Sequence, residues 1–108
     1  MNLPIEVFGN VIVAHSPEEL AGEQADRVLV FLTHLERSNI VLDLDNTETL
    51  DSTGLAALLE TQDGLRQLGG DLKIATTNPM NRKILELTRL DESLDVFESV
   101  IDAVKSFA

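Results

Sequence analysis

Hydrophobic residues recur along this chain in two rhythms, and the rhythm changes at turn-forming residues. Leu3-Pro4-Ile5-Glu6-Val7-Phe8 and Val11-Ile12-Val13-Ala14 flank Gly9-Asn10, a pair suited to a two-residue reversal, and predict an N-terminal hairpin. Pro4 has no N–H to give to a ladder, so the first strand belongs at a sheet edge or starts after it. Ser16-Pro17-Glu18-Glu19 reads as a helix start, with Ser16 as N-cap, Pro17 at the first helical position and Glu19 completing a capping box. Leu20, Gln24, Val28, Phe31, Leu32 and Leu35 follow at spacings of three and four, predicting one apolar stripe on a helix that runs to about Glu36.

The short branched run Asn39-Ile-Val-Leu-Asp-Leu44 predicts a buried parallel strand, and Asp45 to Thr49 a turn-forming segment. A second helix is expected from about Asp51, burying Leu55, Leu58, Leu59, Leu65 and Leu68 and ending at Gly69-Gly70, where a left-handed turn needs no Cβ. Leu72-Lys-Ile-Ala75 predicts another strand. Asn78-Pro79 opens a third helix with Met80, Ile84 and Leu87 as its core stripe, reaching about Leu90. Leu94–Phe97 predicts a last strand, and Ser99 caps a final helix carrying Val100, Val104 and Phe107. Strands alternating with helices imply an α/β domain: a mixed, mostly parallel sheet with an N-terminal hairpin and about four helices.

Composition narrows the function. With 108 residues and 44% hydrophobic content the chain is expected to be one domain with a packed core. It has 19 Asp+Glu against 8 Lys+Arg, and such an excess repels a phosphate backbone, so nucleic acid is not an expected partner. The absence of Cys removes disulfides, thiolate metal sites and thiol nucleophiles, and fits a reducing compartment. No signal peptide and no membrane-spanning run is visible, so a cytoplasmic protein without membrane insertion is expected. His15 and His34 lack companions at metal-ligand spacing and read as structural or solvent-facing; neither a metal nor a cofactor is expected.

The distinctive chemistry lies between Val41 and Leu55. Val41-Leu42-Asp43-Leu44-Asp45-Asn46-Thr47 resembles the first motif of the haloacid dehalogenase phosphatases, in which the first carboxylate attacks phosphorus beside a magnesium ion. Only 63 residues follow Asp45, with Lys73 or Lys83 as the candidate lysine and no acidic pair after a later strand. The plainer reading has Asp43 alternating in a strand and Asp45-Asn46 in a turn.

A second resemblance covers nearly the whole chain, from Val11 to Phe107. Ile40-Val-Leu-Asp-Leu44, a short loop, Asp51-Ser52-Thr53-Gly54-Leu55, an Ala-Leu-Leu helix, Leu68-Gly-Gly70, Leu72-Lys-Ile-Ala75 and Asn78-Pro79 keep the order and spacing of the STAS domain, and the chain resembles the anti-sigma factor antagonists among its members. The resemblance implies a non-enzymatic regulator formed by residues 1–108. In this family the Ser after the Asp is phosphorylated by a partner that is both serine kinase and anti-sigma factor, and a phosphatase reverses the modification; the matching position is Ser52. Asp51, Thr53, Gly54, Leu55 and nearby Glu48 become the implied partner-binding residues.

Each has a purely structural alternative: Ser52 or Asp51 as helix cap, Thr53 as helix start, Gly54 as relief of crowding rather than room for a partner. A STAS subunit docked permanently in a lipid-transport or other transporter complex would use the same surface without a switch. One departure stands out, since the family's Gly-x-Leu-Asp before the first helix falls here on Ala14-His15-Ser16-Pro17, without the Asp.

Overall fold

The computed structural model describes residues 1–108. Its strands are β1 (Ile5–Phe8), β2 (Val11–His15), β3 (Glu19–Leu20), β4 (Asn39–Asp43), β5 (Thr49–Leu50), β6 (Asp71–Ala75) and β7 (Asp95–Phe97). The helices are α1 (Gly22–Thr33), α2 (Ser52–Gln67), α3 (Pro79–Leu87) and α4 (Val100–Lys105), with a 3₁₀ turn at Leu90–Glu92. Five strands form one sheet in the order β1-β2-β4-β6-β7; β1 is antiparallel and the others are mutually parallel. The expected α/β architecture with a hairpin and four helices is therefore present.

Side chains alternate across this sheet with the strand period of two. Ile12, Ala14, Ile40, Leu42, Leu72 and Ile74 point to one face and join Val28 and Leu32 of α1 and Leu58 and Leu65 of α2 in the main core. Val11, Val13, Val41 and Ala75 point to the other, where Ala103 of α4 covers them with Phe97, Val100, Val104 and Phe107 around it. Burial on both faces explains why β4 reads as a continuous apolar run.

The entry to α1 differs from the expected one. Ser16, Pro17 and Glu19 do not cap a helix: the Ser16 N–H donates to the Asp43 carbonyl at 2.9 Å, continuing the β2–β4 ladder, and after a bend at Glu18 the chain enters a short strand at Glu19–Leu20. Glu19 and Leu20 pair in parallel with Thr49 and Leu50, forming a two-stranded ladder that sequence periodicity did not reveal. Leu20 is fully buried there, so tertiary pairing overrides the local capping signal. α1 begins at Gly22 and ends at Thr33, and its inward position is Ala25 rather than the half-buried Gln24.

The face of α3 is also corrected. Met80 and Leu87 are 68% and 73% exposed, while Asn81 and Leu85 turn inward. Asn78 accepts the Met80 N–H and Pro79 opens the helix as expected. The rotation is set by Asn81, whose side-chain amide donates to the carbonyls of Leu44 and Thr47 at 3.1 and 2.9 Å. The helix stops at Leu87, before Arg89 takes a left-handed conformation with φ of 61°. At the end of α2, Gly69 supplies the expected left-handed residue (φ 87°), and Gly70 lies so close to Ser38 that a Cβ would stand 2.0 Å from its carbonyl oxygen.

Candidate functional site

The segment from Thr47 to Thr49 is held by Pro17, Glu18 and Asn81 before the chain reaches α2. The buried Thr47 hydroxyl donates to the Pro17 carbonyl at 2.8 Å. The Glu18 carbonyl accepts the N–H groups of Glu48 and Thr49 at 2.8 and 3.1 Å, and Asn81 holds the Thr47 carbonyl from α3. These contacts fix where α2 starts. Thr47 and Asn81 therefore support the site; the sequence signal for Asn81 would have been a polar residue three and four positions before Ile84 and Leu85, on the same helical stripe.

Asp51 is the N-cap of α2. One carboxylate oxygen accepts the Gly54 N–H at 2.8 Å, and the other accepts the Gly22 N–H, at the start of α1, at 3.3 Å. A single carboxylate thus serves the first turns of two helices, where its charge suits the positive ends of both dipoles. Ser52 stands at the first helical position and is exposed, so the capping role belongs to Asp51 and the Ser52 side chain faces solvent. Its own N–H and that of Thr53 belong to the first turn, where no intrahelical partner exists.

Thr53 and Glu48 are exposed, and Leu55 is half-buried against the main core. Gly54 is different. It is buried, and a Cβ there would stand 1.9 Å from the Leu20 carbonyl oxygen. The close approach that requires glycine here is that of the chain's own β3 backbone, so Gly54 shapes the site from beneath. Glu18, Glu19 and Glu48 are exposed on the paired β3–β5 segment that leads into α2, and Asp51 is exposed at the helix start itself. The helix start carries an acidic rim.

The carboxylates that resemble a phosphatase motif have internal partners. Asp43 accepts the Asp45 N–H at 2.9 Å and pairs with His15, and Asp45 accepts the Thr77 N–H and hydroxyl at 2.6 and 3.1 Å. Lys73 donates to Ser106 beside the Phe107 ring, 4.4 Å from its centroid, and Lys83 lies exposed on α3. Asp43 ends β4 and Asp45-Asn46 form a turn, as in the plainer reading, and the side chains of Asp43, Asp45 and Thr47 tie neighbouring segments together.

His15, at the position where the family pattern was interrupted, lies between two carboxylates: Nε2 is 2.7 Å from Glu6 and Nδ1 is 2.8 Å from Asp43. The hydrogen bond with Glu6 raises its pKa most, burial opposes the rise, and Asp43 adds to it, leaving the imidazole above its ordinary value of 6.5. A folded-state pKa above the unfolded one stabilises the fold fully below pH 6.5, and this contribution is lost as pH rises through the folded value. Thermal melts of wild type and His15→Gln should therefore converge as pH rises beyond that window; a difference independent of pH between roughly 5 and 9, a range that brackets the ordinary histidine value, would contradict the assignment.

Comparison with known proteins agrees with this geometry. The family model of the STAS domain matches residues 2–103. The chain is 26% identical, over 96% of its length and 94% of the relative's, to the anti-sigma F factor antagonist of Paenibacillus polymyxa. Among solved structures it superposes on the Bacillus cell fate determinant SpoIIAA in its phosphorylated form with a TM-score of 0.71 at 15% identity, covering 99% of this chain and 100% of that one. A sulfate transporter family protein from Wolinella succinogenes gives a TM-score of 0.80 at 22% identity, covering 94% and 87%. At such identities the structural matches speak for the fold. With the family pattern spanning nearly every element from β1 to α4, this chain belongs to the STAS domain family.

Proposed function

We propose that this protein is an anti-sigma factor antagonist whose partner is a serine-kinase anti-sigma factor, and that phosphorylation of Ser52 is the switch. The observation that carries the proposal is the division of labour at the start of α2: Asp51 does the capping, which leaves an exposed Ser52 hydroxyl free for chemistry on a rigid helix end. The named relative from Paenibacillus polymyxa supports the partner class. Unphosphorylated, the protein binds the anti-sigma factor and releases the sigma factor; a phosphatase restores this state after modification. These steps place its action in the cytoplasm.

The physical basis of the switch is local. A phosphate adds about −1.5 to −2 of charge and faces the free N–H groups and positive dipole end of α2, so the domain keeps its fold. The added charge joins the rim of Glu18, Glu48 and Asp51, and a partner surface shaped for a neutral hydroxyl loses binding through repulsion and desolvation. Permanent docking in a transporter complex would use this face without modification, and the Wolinella match, being one of fold, does not favour it.

The acidic rim calls for a basic docking surface on the partner. Calorimetric titration of the unphosphorylated protein with the serine-kinase anti-sigma factor of its own organism should show saturable binding that weakens as salt rises from roughly 0.05 to 0.5 M. Absent or salt-insensitive binding would overturn the proposal.

A further inference from the structure

We propose that the outer edge of β1 is a self-association surface, on which β1 of a second copy of this chain pairs antiparallel about Ile5. All four residues of β1 are exposed, and Ile5 and Val7 are 42% and 57% exposed. The phase of the hairpin decides which backbone groups are free. The Pro4 carbonyl accepts the His15 N–H at 3.0 Å, and Phe8 opposes Val11 across the two-residue turn. Even-numbered residues therefore direct their N–H and C=O groups toward β2, and Leu3, Ile5 and Val7 direct theirs outward.

Sheet edges are ordinarily protected by lysines, bulges or a proline that removes an outward donor. None of these protects β1. Pro4 is the only proline in this segment, and its missing N–H falls on the inner side, so the outward row from Leu3 to Val7 is intact. The segment is also sparse in charge for so acidic a chain: among residues 2–17 the only acidic or basic side chains are Glu6 and His15, and these pair with each other.

Charge and register together select a second copy and its alignment. Pairing about Glu6 would set Glu6 against Glu6 of the second copy on one face, a repulsive contact in a cross-strand pair. Shifting by one residue so that Ile5 opposes Ile5 sets Leu3 against Val7 and Glu6 against Pro4. All outward donors from Leu3 to Val7 then find acceptors, and the three apolar side chains meet on the face that already carries the main core, where Leu3 packs. The two five-stranded sheets become continuous across a two-fold axis, an isologous contact that closes at a dimer.

The absence of native Cys makes the register directly testable. Ile5→Cys would place two thiols on directly opposed residues whose Cα atoms are about 5.5 Å apart, within disulfide reach, whereas the two copies of Val7→Cys would lie about four residues out of register. Under mild oxidation Ile5→Cys should cross-link to a dimer and Val7→Cys should not. Sedimentation equilibrium of the wild-type chain should show a dimer favoured by raised salt, since both copies carry a net charge of −11, and Ile5→Pro, which removes an outward N–H only, should be monomeric. A wild-type monomer up to about 1 mM, a concentration that detects even weak association, or equal cross-linking of the two cysteine variants would overturn the proposal. The salt response is opposite to that of the α2 site, so the two readings fail separately.

Discussion

Ser52→Asp should lower affinity for the serine-kinase anti-sigma factor by roughly thirty- to hundredfold, about 2 to 3 kcal/mol, while the melting temperature moves by less than about 2 °C. The separation of these effects follows from the geometry. Asp51, not Ser52, supplies the oxygen that caps Gly54, so replacing Ser52 removes no hydrogen bond on which α2 depends. A carboxylate in the first turn suits the helix dipole and is tolerated by the fold. For the partner, the same carboxylate adds charge beside Asp51 and Glu48 and removes a neutral hydroxyl from the contact. Ser52→Ala should bind normally and resist modification. If Ser52→Asp binds as tightly as wild type, charge repulsion is not the mechanism; if it melts far below wild type, Ser52 is structural.

Gly54→Ala should behave in the reverse way, lowering stability by about 2 to 3 kcal/mol or more, with partner affinity falling only as a consequence. The new methyl would meet the Leu20 carbonyl oxygen at 1.9 Å and the Leu50 side chain at 3.1 Å. Both neighbours are short-strand residues whose mutual pairing sets the approach to α2, and Leu20 is fully buried, so neither can yield cheaply. Moving β3 away would also disturb the Gly22 N–H that Asp51 accepts. Urea denaturation followed by circular dichroism measures this directly. A midpoint within error of wild type would mean that the close packing of β3 on α2 is not required.

These two neighbouring residues show how far the site was legible in the sequence. The Asp-Ser-Thr-Gly pattern marked the start of α2, and Ser52 does stand exposed there. For Gly54 the relief of crowding has its cause in Leu20, 34 residues earlier, which no local pattern reveals. The same non-local pairing hid β3: Ser16-Pro17-Glu18-Glu19 carries a sound local signal for a helix, but Asp43, Thr47 and Glu48 claim its backbone groups from far along the chain.

The alternating apolar strands and the Gly69-Gly70 stop were legible because their causes are local: period-two burial and a left-handed residue. α3 failed for the opposite reason. Its Met80, Ile84 and Leu87 stripe is a valid helical face, and the buried amide of Asn81, bonded to two carbonyls of a distant loop, turns Met80 and Leu87 outward and leaves Ile84 half-buried. His15 likewise had no local signal, since Glu6 and Asp43 reach it only through the β1–β2 and β2–β4 pairings.

Everything proposed for the α2 surface turns on Ser52 being the phosphorylated residue. This is tested most directly by incubating the wild-type protein with its cognate serine-kinase anti-sigma factor and ATP, then measuring intact mass and mapping the modified peptide. One phosphate is expected, on Ser52, with no modification of Ser52→Ala. A phosphate on Thr53 or Ser99 instead, or none under conditions in which the kinase binds the protein, would contradict it.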